Sequence, residues 1–169
     1  YNDPLASAEV AAARVAEGFS AVKFDPAGQY TVYDGRMPDL EAMAQSVAFC
    51  REIRAAVGDR ADMLFGTHGQ FTATGALRLA RQLEPFDPLW FEEPCPPDMP
   101  EEMAKVAAGT SIPVATGERL CSKFEFARVL DLGAAAILQP DLGRAGGILE
   151  GKKIAAMAET RYVQVAPHL

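Results

Sequence analysis

Short apolar runs recur along the chain, and each leads directly into polar or charged residues. The clearest run, residues 89–91, is followed by Glu92 and Glu93 and then by Pro94. Such a run is typical of a strand that is buried on both faces, and the proline ends it. The two carboxylates are therefore predicted to lie at the C-terminal end of a buried strand.

Four further runs have the same organisation, and their polar residues follow at regular intervals. The strand ends at positions 66, 92, 118, 141 and 168 lie 23 to 27 residues apart, which leaves room for one strand and one helix in each interval. This spacing indicates a repeat of βα units. We therefore predict an α/β fold of the TIM type, here an incomplete (β/α) barrel of about six βα units, whose strand ends collect the functional groups.

Helix signals fill the segments between the predicted strands. An alanine-rich helix is predicted over residues 7–17, and Asp39 is the predicted N-cap of a long second helix. Ser122 and Glu125 have the spacing of a capping box, which marks another helix start. The last helix is predicted over residues 146–159.

The first predicted strand, residues 19–24, places two charged residues on one side of the sheet. Because side chains alternate along a strand, Lys23 and Asp25 point to the same side. A long loop is predicted over residues 27–37, and loops of this length are often lids or insertions. We expect it to lie over the strand ends.

The length of the chain limits the extent of the barrel. A complete barrel needs about 250 residues, whereas this chain has 169 and begins at Tyr1 rather than at a methionine. We therefore interpret residues 1–169 as one partial barrel domain of a longer protein.

Charge and composition argue against two classes of partner. The net charge is −7 and no basic cluster is present, so a nucleic-acid surface is not predicted. No stretch approaches the ~20 apolar residues of a membrane span, so no membrane partner is predicted. Cys50, Cys95 and Cys121 are widely spaced, which favours free thiols in a reducing compartment and a cytoplasmic location.

Glu92 and Glu118 end consecutive predicted strands, and two carboxylates at one site repel each other unless a positive charge compensates them. A hard cation such as Mg²⁺ prefers oxygen ligands and can supply that charge. The alternative is a pair of salt-bridged acids, with Arg119 and Lys23 as the neighbouring cations. The spacing alone leaves both interpretations open.

The two histidines of the chain both follow predicted strands. Asp141 and His168 end the last two strands, where the carboxylate can orient the imidazole as a general base. His68 can act as a general acid, and Lys23 can stabilise an oxyanion. The alternatives are a buried histidine satisfied by a carboxylate and a histidine that orders its loop.

Taken together, the strand-end motifs resemble one known family. The motifs are residues 22–26, 91–94, 117–119, 138–141 followed by Gly146 and Gly147, and 166–168. The ordered set resembles the mandelate racemase branch of the enolase superfamily, and within it the sugar-acid dehydratases of the galactonate type. That family commonly assembles, so the resemblance also implies a homo-oligomer and a sugar-acid substrate.

The resemblance implies a role for each candidate residue. Mg²⁺ would hold the substrate carboxylate and stabilise an enediolate formed by removal of the α-proton. Glu92 and Glu118 match two of the three metal ligands. His168 matches the base, oriented by Asp141, and His68 matches the acid that protonates the departing β-hydroxyl.

Two positions on the first strand extend the comparison. Lys23 matches the first lysine of the family's Lys-x-Lys motif, and Asp25 stands where the second lysine is the base of the racemase. The absence of that second lysine favours dehydration to a 2-keto-3-deoxy acid over racemisation, epimerisation or cycloisomerisation.

One position departs from the family pattern. Gly66 stands where the third metal ligand, an aspartate, is expected. Asp62 lies four residues earlier, about 13 Å away along an extended strand, which is too far to substitute. A non-catalytic homologue is therefore a further alternative. The family's capping domain and last barrel strand are also absent from the predicted elements.

Overall fold

The computed structural model describes residues 3–25, 27 and 35–169, which form an open parallel sheet with helices between successive strands. Within these residues the sheet has six strands, which pair in chain order and all run parallel. The strands are β1 (Ala21–Phe24), β2 (Asp62–Gly66), β3 (Trp90–Glu92), β4 (Val114–Thr116), β5 (Ile137–Leu138) and β6 (Gln164–Val165). The predicted α/β class and the number of βα units are confirmed.

One helix precedes the sheet, and one helix connects each pair of successive strands. The helices are α1 (Pro4–Ala16), α2 (Leu40–Val57), α3 (Ala73–Leu83), α4 (Pro100–Gly109), α5 (Lys123–Asp131) and α6 (Ile148–Glu159). Short 3-10 turns at Gly58–Arg60 and Glu84–Phe86 lead into β2 and β3. None of the helices in the described ranges has the length and apolarity that a membrane crossing requires.

The predicted caps of the middle helices are present. The Asp39 side chain accepts a hydrogen bond from the N–H of Ala42 at the start of α2. Ser122 and Glu125 form both halves of a capping box at the start of α5. Because each cap satisfies N–H groups that have no partner inside the helix, these residues define where the helices begin.

Three predicted boundaries are wrong by a few residues. The first helix begins at Pro4 because the Asp3 side chain caps it and proline suits the first helical position. The last helix begins at Ile148, since Gly146 and Gly147 have φ values of 98° and 90° and cannot belong to a right-handed helix. The first strand begins at Ala21 rather than at 19. Most of the predicted loop over residues 27–37 lies outside the described residues.

Aromatic side chains pack together on one face of the sheet, and polar side chains project from the other face. Phe24, Phe65 and Phe91 lie side by side on β1, β2 and β3 and are buried. Their rings pack edge to face, with centroid separations of 5.8 and 5.4 Å. Because side chains alternate, Lys23 and Glu92 project from the opposite face, where the polar groups gather.

Candidate active site

The C-terminal ends of the strands carry a cluster of charged side chains. It contains the six residues that the sequence singles out, Lys23, His68, Glu92, Glu118, Asp141 and His168, together with Asp25. Parallel strands bring their C-terminal ends to the same edge of the sheet, which explains why residues so far apart in the chain meet. The cluster is therefore the candidate active site, and the roles of its members stay predictions.

His168 is held by Asp141, whose Oδ2 lies 3.1 Å from the imidazole Nδ1. The two residues form a parallel bridge just beyond β5 and β6. Hydrogen bonds from the backbone N–H of Arg144 and from His168 hold the pKa of Asp141 below its ordinary value. When Nδ1 carries the hydrogen that Asp141 accepts, Nε2 keeps its lone pair. That Nε2 lies 3.6 Å from Oε2 of Glu118.

A second imidazole–carboxylate pair occupies the β1–β2 side of the cluster. His68 Nδ1 lies 2.5 Å from Oδ2 of Asp25, the residue that follows β1. The hydrogen bond with Asp25 raises the pKa of His68 above its ordinary value, and burial opposes this shift. This partner of Asp25 was not predicted from the sequence, although the adjacency of β1 and β2 brings the two strand ends together.

Glu92 is buried at the end of β3, and protein donors occupy both of its carboxylate oxygens. Lys23 Nζ donates to Oε1 at 2.6 Å. Trp90 Nε1 and Gln139 Nε2 donate to Oε2 at 3.1 and 2.8 Å. The salt-bridged alternative is therefore present at Glu92, with Lys23 as the cation. The sequence did not identify Trp90 and Gln139 as partners of Glu92, because nothing in the local pattern shows that their side chains reach the same carboxylate.

The salt-bridge alternative offered Arg119 as a cation for the strand-end acids, but in the structure Arg119 pairs with Glu93 rather than with Glu118. Its guanidinium lies 2.7 Å from Oε2 of Glu93, which is fully buried. Glu118 and Arg119 are consecutive residues, so their side chains leave the chain in different directions. Burial raises the pKa of Glu93 to about 7, and Arg119 opposes this shift. Arg119 also donates to the carbonyl oxygen of His68 at 2.9 Å, so it links three strand ends.

The comparison with protein families decides the identity of the fold. The family model described as enolase C-terminal domain-like matches residues 6–169. The chain belongs to this family. The structural neighbours are barrel proteins of the enolase superfamily, which confirms the predicted TIM-type barrel. The described part of this chain is an open portion of such a barrel.

Named relatives within the enolase superfamily are similar over most of this chain. D-galactonate dehydratase from Ralstonia nicotianae is 44% identical over 153 residues, which is 90% of this chain and 39% of the relative. A solved structure from Labrenzia alexandrii DFL-11, assigned to the mandelate racemase/muconate lactonizing enzymes, is 68% identical, with a TM-score of 0.98 over 100% of this chain and 44% of that one.

A second solved structure, a mandelate racemase/muconate lactonizing enzyme-like protein from Roseovarius sp. TM1035, is 62% identical. Its TM-score is 0.97, and the match covers 99% of this chain and 42% of that one. The chain thus spans less than half the length of the relatives it matches.

Enolase-superfamily enzymes generally use Mg²⁺, and the strand ends can be tested for a fit to that ion. Glu92 and Glu118 offer two carboxylates, but Gly66, the register partner of Glu92 on β2, offers no ligand. Among the residues that the structure describes, no three His, Cys, Asp or Glu side chains are grouped so that they could hold a metal ion. These residues therefore do not fit a Mg²⁺ site with three protein carboxylates.

Replacing Asp25 with asparagine is expected to lower the pKa of His68 towards the ordinary value of about 6.5. The amide keeps the size of the side chain but removes the negative charge that stabilises the imidazolium. A raised pKa keeps His68 protonated to higher pH, so the variant should lose the acid form of His68 at lower pH than the wild type. The measurement is an NMR titration of the imidazole C2–H signal.

The His68 signal is assigned by its disappearance in a His68→Gln variant. Asp131→Asn is the control, because Asp131 is paired with Arg161 on the surface and does not contact either histidine pair. An unchanged His68 titration in Asp25→Asn would show that the carboxylate does not control this imidazole.

Proposed function

We propose that the protein containing this chain is a hydro-lyase that dehydrates a sugar acid, an aldonate or aldarate, to a 2-keto-3-deoxy acid. The observation that carries the proposal is the pair of imidazoles, each held at Nδ1 by a carboxylate, at the same strand edge. The similarity to D-galactonate dehydratase supports the same reaction class. The matched part of that relative is limited to 39% of its length, so the activity of the whole protein is proposed here.

His168 is the proposed base for the first step. Its Nε2 removes the proton from the carbon next to the substrate carboxylate, and Asp141 stabilises the imidazolium that forms. Removal of this proton places negative charge on the substrate carboxylate oxygens. Lys23 is the proposed group that stabilises this charge, because its ammonium lies at the same strand edge.

His68 is the proposed acid for the second step. Its protonated imidazole gives a proton to the β-hydroxyl, which leaves as water while the enol forms. The enol then takes up a proton at the β-carbon and releases its hydroxyl proton, which gives the 2-keto-3-deoxy acid. The raised pKa of His68, caused by its hydrogen bond with Asp25, supports this assignment because it favours the protonated form.

Mg²⁺ dependence, with Glu92 and Glu118 as ligands, stays a prediction that comes from the family. Four other expectations also stay predictions, namely a partial barrel domain over residues 1–169, a separate capping domain, a homo-oligomer and a cytoplasmic location.

Two alternative functions can be weighed, and one specific observation bears on each. Racemisation or epimerisation needs a second base, and Asp25 is the candidate, but its carboxylate is already hydrogen-bonded to His68 at 2.5 Å. A non-catalytic homologue is favoured by Gly66, which removes a ligand from the family's metal site.

The proposal is tested by incubating the full-length protein with a panel of aldonic and aldaric acids and measuring 2-keto acids as semicarbazones. Accumulation of a keto acid from at least one member is expected. Substrates without a β-hydroxyl are the matched control and should release none. If no member of the panel yields a keto acid, with or without added Mg²⁺, dehydration is the wrong reaction for this protein.

A further inference from the structure

The Lys23 side chain extends across the place where the third metal ligand is missing. A Cβ at position 66 would lie 3.7 Å from Cε of Lys23 and 3.9 Å from Cβ of Asp25. From this position Lys23 reaches Oε1 of Glu92 at 2.6 Å. The lysine therefore lies beside the position that a side chain at residue 66 would take.

The Lys23 ammonium compensates the negative charge of the Glu92 carboxylate, and water screens this charge only weakly because the carboxylate is buried. Glu92 is only 2% exposed, whereas the Lys23 side chain is 44% exposed. A charge pair with one buried member is stronger than a pair on the open surface, because the buried side has a lower effective dielectric constant. Displacing the ammonium would leave a buried carboxylate without its cation, which is costly.

The other acids at these strand ends have protein partners of their own. Asp25 is paired with His68, Asp141 with His168, and Glu93 with Arg119. Glu118 has a longer contact, 3.6 Å, with Nε2 of His168. An incoming divalent cation would thus meet one weakly paired carboxylate and would have to compete with Lys23 for the other.

We propose that the Lys23 ammonium takes the place of a resident divalent cation beside Glu92. This inference concerns only the side chains of this chain and does not depend on the proposed function. Divalent-ion affinity is therefore low in the wild type and is limited by the missing carboxylate and by competition from Lys23.

The chain offers a direct test, because position 66 has room for a side-chain Cβ. A Cβ at Gly66 makes only ordinary van der Waals contacts, and the residue does not have a left-handed backbone. Gly66→Asp would add a third carboxylate next to Glu92. Gly66→Asn is the matched control, since it has the same size without the charge.

The measurement is Mn²⁺ binding to the full-length protein, followed by electron paramagnetic resonance and by calorimetry. Weak binding, in the millimolar range, is expected for the wild type and for Gly66→Asn. Gly66→Asp should bind more than about tenfold more tightly, since even residues that only support a ligand change metal affinity by that factor. Lys23→Met, which removes the competing ammonium, should also bind more tightly than the wild type.

One tightly bound Mn²⁺ per wild-type chain, in the micromolar range and displaced by Mg²⁺, would overturn the inference. Gly66→Asp with no gain over Gly66→Asn, although both variants are folded by circular dichroism, would also count against it. Keto-acid formation is measured separately in protein treated with a chelator. Activity that the chelator abolishes and added Mg²⁺ restores would count against the lysine assignment and leave the proposed function standing. No keto acid with or without Mg²⁺ would defeat the proposed function and leave the lysine assignment to the Mn²⁺ measurement.

Discussion

His168→Asn is expected to lower kcat for keto-acid formation by about 10²–10⁴-fold, the usual contribution of a positioned general base. Asparagine retains polarity and approximate size but cannot accept the proton that Nε2 of His168 would remove. The His168 side chain is about one third exposed, at 31%, so the substitution should leave the fold intact. The loss should therefore appear in kcat rather than in the amount of folded protein.

Exchange of the substrate α-proton with solvent deuterium separates this role from a role in binding. The wild type should wash deuterium into the α-position of a substrate analogue that cannot lose its β-group, and His168→Asn should not. His68→Gln is the matched comparison, because it should lose dehydration but keep the exchange at the α-carbon. Exchange that persists at the wild-type rate in His168→Asn would assign the base to another residue.

Arg119→Met is expected to reduce the free energy of unfolding by about 3–5 kcal/mol, the usual cost of removing one member of a buried ion pair. Glu93 is fully buried, and the Arg119 side chain that compensates it is only 9% exposed. Methionine fills part of the volume but leaves the carboxylate without a cation. Urea unfolding of the purified protein measures the change.

The pH dependence of this variant gives an independent check. Burial already raises the pKa of Glu93 to about 7 with Arg119 present, and loss of the guanidinium should raise it further. A carboxyl that binds its proton more tightly in the folded state than in the unfolded state lowers stability as pH rises. The stability loss should therefore be larger at about pH 8 than at about pH 5.

Arg128→Met is the control for the removal of an arginine. Arg128 pairs with Glu101 on the surface, with side-chain exposures of 56% and 41%, so its loss should cost less than about 1 kcal/mol. The double variant Glu93→Gln with Arg119→Met should recover part of the stability, because neither position of the former buried ion pair then carries a charge. Equal losses of unfolding free energy in Arg119→Met and Arg128→Met would show that the buried ion pair contributes no more to stability than the surface pair.

Local signals in the sequence were sufficient for the elements and their order. Apolar runs ending in polar residues located the six strands of the described residues, and Asp39 and Ser122 marked helix starts that the structure confirms. These features depend on neighbours within a few residues along the chain. The start of the last helix was misplaced because two glycines can continue a helix or break it, and only their observed φ values of 98° and 90° decide which.

The sequence by itself determined which residues stand at the strand ends, because the βα period and the parallel order follow from local pattern. Only the tertiary structure decided which of them are partners. Lys23 and Glu92 are 69 positions apart, and Asp25 and His68 are 43 apart. Such pairs depend on the register of neighbouring strands and on side-chain direction, as Arg119 demonstrates by turning to Glu93 rather than to Glu118. Since neither property is encoded by spacing along one strand, the ionic partners of the site emerge only when the sheet is assembled.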